Sequence, residues 1–266
     1  MANDGKGGRS STRFGGRGLA TRVKTAKGRK ISSKRWLQRQ LNDPFVAEAR
    51  RQGYRSRAAF KLLQLDDRFQ ILKPGARVVD LGAAPGGWTQ VAIARTGADK
   101  GEGEGGGDVI AIDILEMESL AGARFLKLDF TAEGAEEKVL ALIDGPVDAV
   151  ISDMAASATG HRPTDHLRII ALCELAFDFA CKVLAPGGAF IAKVLKGGTE
   201  DQLLKLLKQD FREVRHAKPE ASRADSAETY VVALGFRGKP GASASDRQDD
   251  NDSGNDDAGR DEESGA

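Results

Sequence analysis

The sequence is short of cysteine, aromatic residues and long apolar runs. Two cysteines in 266 residues cannot build the disulfide scaffold of a small secreted protein. Cys173 and Cys181 fall in one predicted helix, roughly 12 Å apart along its axis. That exceeds the ~7 Å Cα separation a bridge tolerates. They are expected to be reduced core thiols, as suits a cytoplasmic protein. No C-x-x-C or H-E-x-x-H occurs, so no metal site is expected. No stretch of 18 uninterrupted apolar residues occurs, so no transmembrane helix is expected. The basic N-terminus leads into no apolar run, which excludes a secretory signal, although residues 5–40 share the Arg/Ser-rich, acid-poor composition of a mitochondrial presequence. Neither G-x-G-x-x-G nor a Gly-Lys-Ser/Thr phosphate loop is present, which argues against a dinucleotide oxidoreductase and a P-loop enzyme.

Net charge is also small, +1 from 40 Lys+Arg and 39 Asp+Glu. At face value this argues against a nucleic-acid binder. The charge is segregated, however. Residues 1–40 hold 12 Lys/Arg and one acid, a net of +11, while residues 241–266 hold nine acids and two Arg, a net of −7. Residues 1–30 show no apolar periodicity and residues 241–266 have almost no large apolar side chain, so neither end can offset the entropy of ordering. The sequence therefore divides into a basic disordered arm at 1–32, one folded domain at 33–240 and an acidic disordered tail at 241–266. Hydrophobic residues make up 40% of the chain, enough for one sizeable core.

Within that domain helical and strand patterns alternate. Ser33–Gln52 and Ser56–Phe69 have helical spacing, the second broken by Lys73-Pro74-Gly75. Short apolar strands are predicted at Arg77–Leu81, Val109–Asp113, Phe125–Leu128, Val147–Ser152, Ala189–Val194, Phe211–His216 and Thr229–Phe236. Helices are predicted at Trp88–Arg95, Ala135–Ile143, Asp165–Leu184 (stopped by Pro186-Gly187-Gly188) and from Thr199 or Glu200 to Gln209. Residues 97–107, with six glycines, read as a surface loop at the far edge of the sheet. The alternation implies an α/β fold with a mostly parallel seven-stranded sheet and helices on both faces.

Ligands of such sheets bind beyond the carboxyl ends of the strands. Asp80, Gly82, Asp113, Asp129, Asp153 and Lys193 lie at or just past such ends. The turn Asp80-Leu-Gly-Ala-Ala-Pro-Gly-Gly-Trp88 allows close backbone approach at Gly82, Gly86 and Gly87. Its alternative explanation is tight packing alone. Pro85 removes an N–H that a phosphate would want. Asp113 can accept from a ribose diol and Asp129 from an adenine amino group, although either could merely cap local backbone. A ribose acid and an adenine acid without a phosphate grip fit S-adenosylmethionine better than NAD or ATP.

Five motifs then occur in order: Ser56-Arg-Ala-Ala-Phe-Lys61-Leu, Asp80–Trp88, Ser152-Asp-Met-Ala155, Lys193-Val-Leu-Lys-Gly197 and Ser222-Arg-Ala-Asp-Ser-Ala-Glu-Thr-Tyr230. Together they resemble the FtsJ/RrmJ family of ribosomal RNA large-subunit 2′-O-methyltransferases, over about Ser33 to Phe236. The resemblance implies a Rossmann-like S-adenosylmethionine-dependent methyltransferase fold. It implies a catalytic set of Lys61, Asp153, Lys193 and Glu228. It implies cofactor contacts at Gly86, Trp88, Asp113, Asp129 and Asp153. It implies a uridine of 23S rRNA in the assembled large (50S) subunit as substrate, and a cytoplasmic, monomeric enzyme free of the membrane. The sequence departs from the family where Ala156-Ser157 replaces the usual Pro-Asn, and in the extra length of 97–107.

A ribose hydroxyl needs a base to remove its proton. Lys193 is the candidate, provided its pKa is depressed by desolvation or by neighbouring cations such as Lys61 and Lys196. Asp153 is expected to orient Lys193, and Glu228 to hold Lys61. Basic residues between Arg22 and Arg57, with Trp36 and Tyr54 among them, are expected to meet RNA phosphates and bases. Competing readings are a 2′-O-methyltransferase acting on tRNA, an RNA cap or another RNA, and a non-catalytic RNA-binding ribosome-assembly factor. Base and protein-amide methyltransferases would carry Asn-Pro-Pro-Tyr where Ser152-Asp-Met-Ala stands.

Overall fold

The computed structural model describes residues 31–100, 105–196 and 201–238. The expected basic arm before Ile31, the tail beyond Gly238, the centre of the glycine-rich loop, Gly197 and the expected helix start at Thr199–Glu200 lie outside the described residues. The chain divides into two compact units between Gly53 and Tyr54.

The first unit contains helices α1 (Ile31–Leu41) and α2 (Pro44–Gln52). The sequence predicts one helical stretch here, but it is broken at Asn42-Asp43-Pro44. Asp43 caps α2 by accepting from the Phe45 N–H at 3.1 Å, and Pro44 suits a first helical position because its missing N–H is not needed there. Gly53 ends α2 in the left-handed conformation, φ 77°.

The second unit is the α/β domain. Its strands are β1 (Arg77–Leu81), β2 (Asp108–Asp113), β3 (Ala123–Lys127), β4 (Val147–Ser152), β5 (Leu184–Leu195), β6 (Phe211–Ala217) and β7 (Glu228–Phe236). They form one sheet in the order β3-β2-β1-β4-β5-β7-β6. Pairings from β3 across to β5 are parallel, and β7 runs antiparallel to both β5 and β6. The helices are α3 (Ala59–Phe69), α4 (Gly87–Thr96), α5 (Ala135–Leu140), α6 (Arg162–Val183) and α7 (Asp201–Asp210).

The inner strands are apolar at successive positions because both faces are covered. Val78, Val109, Ile151, Ile191 and Val232 pack with Leu62, Leu65 and Val91 of α3 and α4. Their neighbours Val79, Ile110, Val150, Phe190 and Val231 pack with Phe177 of α6 and Leu203 of α7. Cys173 and Cys181 are buried in α6 as thiols, not as a disulfide.

The cause of one helix end and the start of one strand differ from the sequence reading. Helix α3 ends after Phe69 as expected, but the break comes at Gln70 and not at Lys73-Pro74-Gly75. Gln70 adopts φ 54°, and the buried Asp66 carboxylate accepts from the N–H groups of Ile71 and Leu72 at 2.9 and 2.8 Å, taking the chain out of the helix. Strand β5 begins at Leu184, ahead of the expected Pro-Gly-Gly break. Its pairing with β4 jumps from Val147↔Leu184 to Ala149↔Ala189. Residues 185–188 therefore bulge from the sheet, where Pro186 has no N–H to donate.

The chain runs outward from β1 to β3 and returns with β4 beside β1. The carboxyl ends of β1 and β4 thus form a topological switch point, where ligands of such sheets bind.

Candidate active site

The turn after β1 is built for close packing. Gly82 has φ 81°, and a Cβ on it would lie 2.8 Å from Met154 N and Cα, just beyond β4. At Gly86, φ 109°, a Cβ would meet Met117 Sδ at 2.9 Å and Arg55 at 3.0 Å; at Gly87 it would overlap Ser56 Oγ. The glycines therefore serve first to bring protein segments together around the strand ends.

Beside this turn lies a cleft of about 640 Å³. Gly82, Asp113, Asp129, Phe130, Met154 and Arg168 are among the residues lining it. Asp113, ending β2, accepts from Ala84 N at 2.8 Å and Leu115 N at 2.7 Å, one per oxygen. A carboxylate has about four acceptor positions, so both oxygens can still receive a ribose hydroxyl. Asp129 Oδ1 accepts from Thr131 N and Oγ, and these bonds hold its carboxyl pKa below the ordinary range. The far wall follows β4. Arg168 donates to Ser157 O at 2.9 Å, and Asp165 accepts from Thr159 N and Oγ at 2.7 Å and Gly160 N at 3.2 Å. These bonds tie the segment containing Ala156-Ser157 to the first turns of α6.

Of the expected cofactor contacts, Asp113 and Asp129 line the cleft, but Gly86 and Asp153 do not, and neither does Trp88. Its side chain is 2% exposed, donates through Nε1 to Ala58 O at 2.9 Å, and packs on Tyr230 with ring centroids 5.6 Å apart. Only its main chain, in the first turn of α4, is left for a ligand.

Four elements bring the charged set together. Lys61 projects from α3, Asp153 follows β4, Lys193 lies on β5, and Glu228 opens β7. Lys193 Nζ is 2.9 Å from Asp153 Oδ1 and donates to Asp153 O at 2.8 Å. Lys61 Nζ is 2.8 and 2.9 Å from the Glu228 oxygens and 3.9 Å from Asp153 Oδ2. The two lysine side chains are 10% exposed and the two carboxylates 16%, so the quartet is largely desolvated and formally neutral. Burial raises the Asp153 carboxyl pKa, but Lys193, Lys61 and the hydrogen bonds it accepts outweigh burial and leave it lowered.

Tyr230 completes the cluster. Its hydroxyl donates to Asp153 Oδ1 at 2.7 Å, and its ring faces Lys61 Nζ at 5.7 Å. Burial, and then the charges of Asp153 and Glu228, push its pKa well above 10. The sequence reading gave it no role, although strand alternation puts Tyr230 on the same face as Glu228. Ser222 was also missed; its hydroxyl donates to Glu228 Oε1 at 2.7 Å. Lys196, expected to add positive field, is exposed, and its N–H pairs with Ala227 O.

Two expected RNA-facing arginines are engaged with the protein. Arg57 donates to Ala221 O, and Arg55 donates to three main-chain carbonyls. Tyr54 packs edge-on against Phe60. Residues 22–30 and the Trp36 side chain lie outside the described residues.

A parallel sheet with an antiparallel β7 inserted beside its edge, and a nucleoside-sized cleft without a phosphate grip at the switch point, define a Rossmann-like methyltransferase. A family model for FtsJ-like methyltransferases matches residues 54–236. The chain is 60% identical over 245 residues to the Ribosomal RNA large subunit methyltransferase E of Parvibaculum lavamentivorans, covering 90% of this chain and 96% of that protein. It is 63% identical over 224 residues to the protein of that name from Paramagnetospirillum magneticum, covering 84% and 91%. A crystal structure from Plasmodium falciparum, provisionally described as a ribosomal RNA methyltransferase, superposes with a TM-score of 0.61 at 30% identity, covering 70% of this chain and all of that one. The chain belongs to the FtsJ-like methyltransferase family.

Methyltransferases of this type take S-adenosylmethionine as methyl donor. The cleft fits that group. Two carboxylates that can accept from hydroxyls and amines, Asp113 and Asp129, line the cleft. The wall between them is apolar at Ile112, Ile114, Leu128 and Phe130.

Proposed function

We propose that this protein transfers a methyl group from S-adenosylmethionine to a ribose 2′-hydroxyl, that of a uridine of 23S rRNA in the assembled large ribosomal subunit. The observation that carries this reading is the Lys193–Asp153–Lys61–Glu228 quartet at the carboxyl ends of β4 and β5. The relatives' names supply the class of RNA.

Bound in the cleft, S-adenosylmethionine supplies an electrophilic methyl carbon whose bond to sulfur breaks as the ribose oxygen attacks. On this reading Asp113 and Asp129 hold the nucleoside end, with main-chain groups of Gly86 and Trp88 at the turn. Lys193 Nζ, after releasing its own proton, takes the 2′-hydroxyl proton as the new oxygen–carbon bond forms. Asp153 fixes Lys193 through its carboxylate and its main-chain oxygen. Glu228 fixes Lys61, which places a positive charge beside the oxygen that loses its proton. Holding the reactants in line supplies much of the rate. The protein acts on this reading as a single copy of the chain in the cytoplasm. Among the described residues, no helix is long and apolar enough to cross a membrane.

The test is ribose-methylation mapping of rRNA in a deletion strain complemented by the wild type or by Lys193→Ala. One 2′-O-methyl mark should be lost on deletion and restored by the wild type alone. Restoration by Lys193→Ala would remove the base assignment. An unchanged rRNA pattern in the deletion strain would remove the substrate.

A further inference from the structure

Charge alone casts Arg55 as an RNA ligand, beside the other arginines of its segment. Its geometry does not. Arg55 Nη1 donates to Glu118 O at 2.7 Å and Pro85 O at 3.4 Å, and Nη2 donates to Ser119 O at 3.0 Å. Its main-chain N–H donates to Gln90 Oε1 at 2.8 Å, in α4. The side chain is 22% exposed, and its ion pair with the highly exposed Glu118 carboxylate is long, 3.9 Å. One guanidinium therefore joins the glycine turn after β1 to the loop after β2.

That loop, residues 114–120, has neither helical nor strand structure. It begins directly after Asp113 and contributes Ile114 to the cleft wall. Ile114 and Leu115 are exposed, so apolar burial does not anchor the start of the loop. Met117, buried beneath the turn, packs toward the position a Gly86 Cβ would fill, and Arg55 packs there beside it. Gly86 thus makes room for the strap.

We propose that Arg55 is a positioning residue for the methyl donor, holding the Gly82–Gly87 turn and the 114–120 loop at the spacing that sets Asp113 and Ile114 against the nucleoside. The inference rests on the donor-site reading above. A fork of donors reaching three carbonyls is something a lysine cannot reproduce, whereas a lysine serves nearly as well opposite a phosphate.

The experiment compares wild type, Arg55→Lys and Arg55→Ala as full chains. Binding of S-adenosylhomocysteine is measured by calorimetry, amide exchange in 114–120 by mass spectrometry, and RNA binding as a function of salt. Arg55→Ala should weaken S-adenosylhomocysteine binding about tenfold or more. Arg55→Lys should lie close to Arg55→Ala. Exchange in 114–120 should quicken in both, while the salt slope of RNA binding with Arg55→Lys stays at the wild-type value. The inference is overturned if both variants bind S-adenosylhomocysteine like the wild type, or if Arg55→Lys restores binding in full. Failure of the wild type to bind would instead sink the donor-site reading, and unchanged exchange in 114–120 would then still overturn the strap.

Discussion

Lys193 is held twice by Asp153, through the carboxylate at 2.9 Å and the main-chain oxygen at 2.8 Å. The carboxylate also receives the Tyr230 hydroxyl and lies within reach of Lys61. Asp153 thus pairs closely with Lys193 and, together with Glu228, compensates two ammonium groups in a largely desolvated pocket. Asp153→Asn keeps the shape but removes that charge, leaving two lysines against Glu228 alone. Breaking such a buried arrangement costs about 3 kcal/mol. Methyl transfer should fall at least ~100-fold, since Lys193, the proposed proton acceptor, loses its orientation. Chemical denaturation and a methylation assay check the two effects separately. A variant of wild-type stability and near-wild-type rate would show that the contacts do not matter.

Tyr230→Phe tests the third bond to Asp153. Phenylalanine preserves the packing on Trp88 and withdraws only the hydroxyl. A hydrogen bond to a charged group contributes about 1.5–3 kcal/mol. The expected outcome is a roughly tenfold lower kcat with little change in KM for the donor, because Tyr230 touches the Lys193 side of Asp153 and lines no part of the nucleoside cleft. A change confined to KM would place Tyr230 in donor binding instead.

The legible parts of this molecule are those fixed by pattern. Val78 and Val79 belong to opposite faces of a covered strand, so β1 reads as a continuous apolar run and its bounds follow directly. Strand-end acids stand out because an apolar run stops at them. Less legible were features decided by a partner far along the chain. The end of α3 was legible but its cause, a local one, was not: Gln70 leaves the helix because the buried Asp66 carboxylate takes the next two N–H groups. Residues 185–188 leave the sheet without ending β5, since Leu184 can still pair with Val147. Arg55 and Trp88 carry the residue types of binding groups, yet each spends its donors on main-chain carbonyls. Composition records a charge or an indole, not what it touches.

Gly82→Ala should be among the most damaging single changes in the turn. The backbone at φ 81° is unfavourable for any side chain, costing about 1–2 kcal/mol. The added Cβ would also approach Met154 N and Cα at 2.8 Å. Main chain cannot yield as a side-chain tip can, so β1 and β4 must part at their ends. The expected loss is at least about 2 kcal/mol, together with loss of donor binding. Gly53→Ala is the control. It has a similar φ of 77° but open space around the new methyl group, so it should show only the conformational cost. Equal destabilisation in the two variants would refute the contact argument.

Asp80 supplies a pH-dependent prediction. It is fully buried on β1, and its Oδ2 accepts from the Thr89 hydroxyl at 2.7 Å. Among the described residues, Oδ1 has no hydrogen-bond partner. Burial, and then the charges of Asp153 and Asp113, push its pKa up to about 7 against the lowering effect of the Thr89 bond. In the unfolded chain it ionises at the ordinary value near 3.8. The folded state therefore holds this proton more tightly than the unfolded state does. The group's contribution to stability is full below about pH 4, declines as pH rises to about 7, and is constant beyond. Asp80→Asn cannot ionise and escapes that decline. Its stability relative to wild type should improve by up to about 4 kcal/mol between pH 4 and pH 8. Urea unfolding of both proteins across that window measures the difference directly. Taking the difference between the two proteins cancels the opposite trend from Asp153, whose lowered pKa makes it stabilising as pH rises. A stability difference that does not vary with pH would mean that Asp80 is already ionised in the folded protein at the acid end of the window.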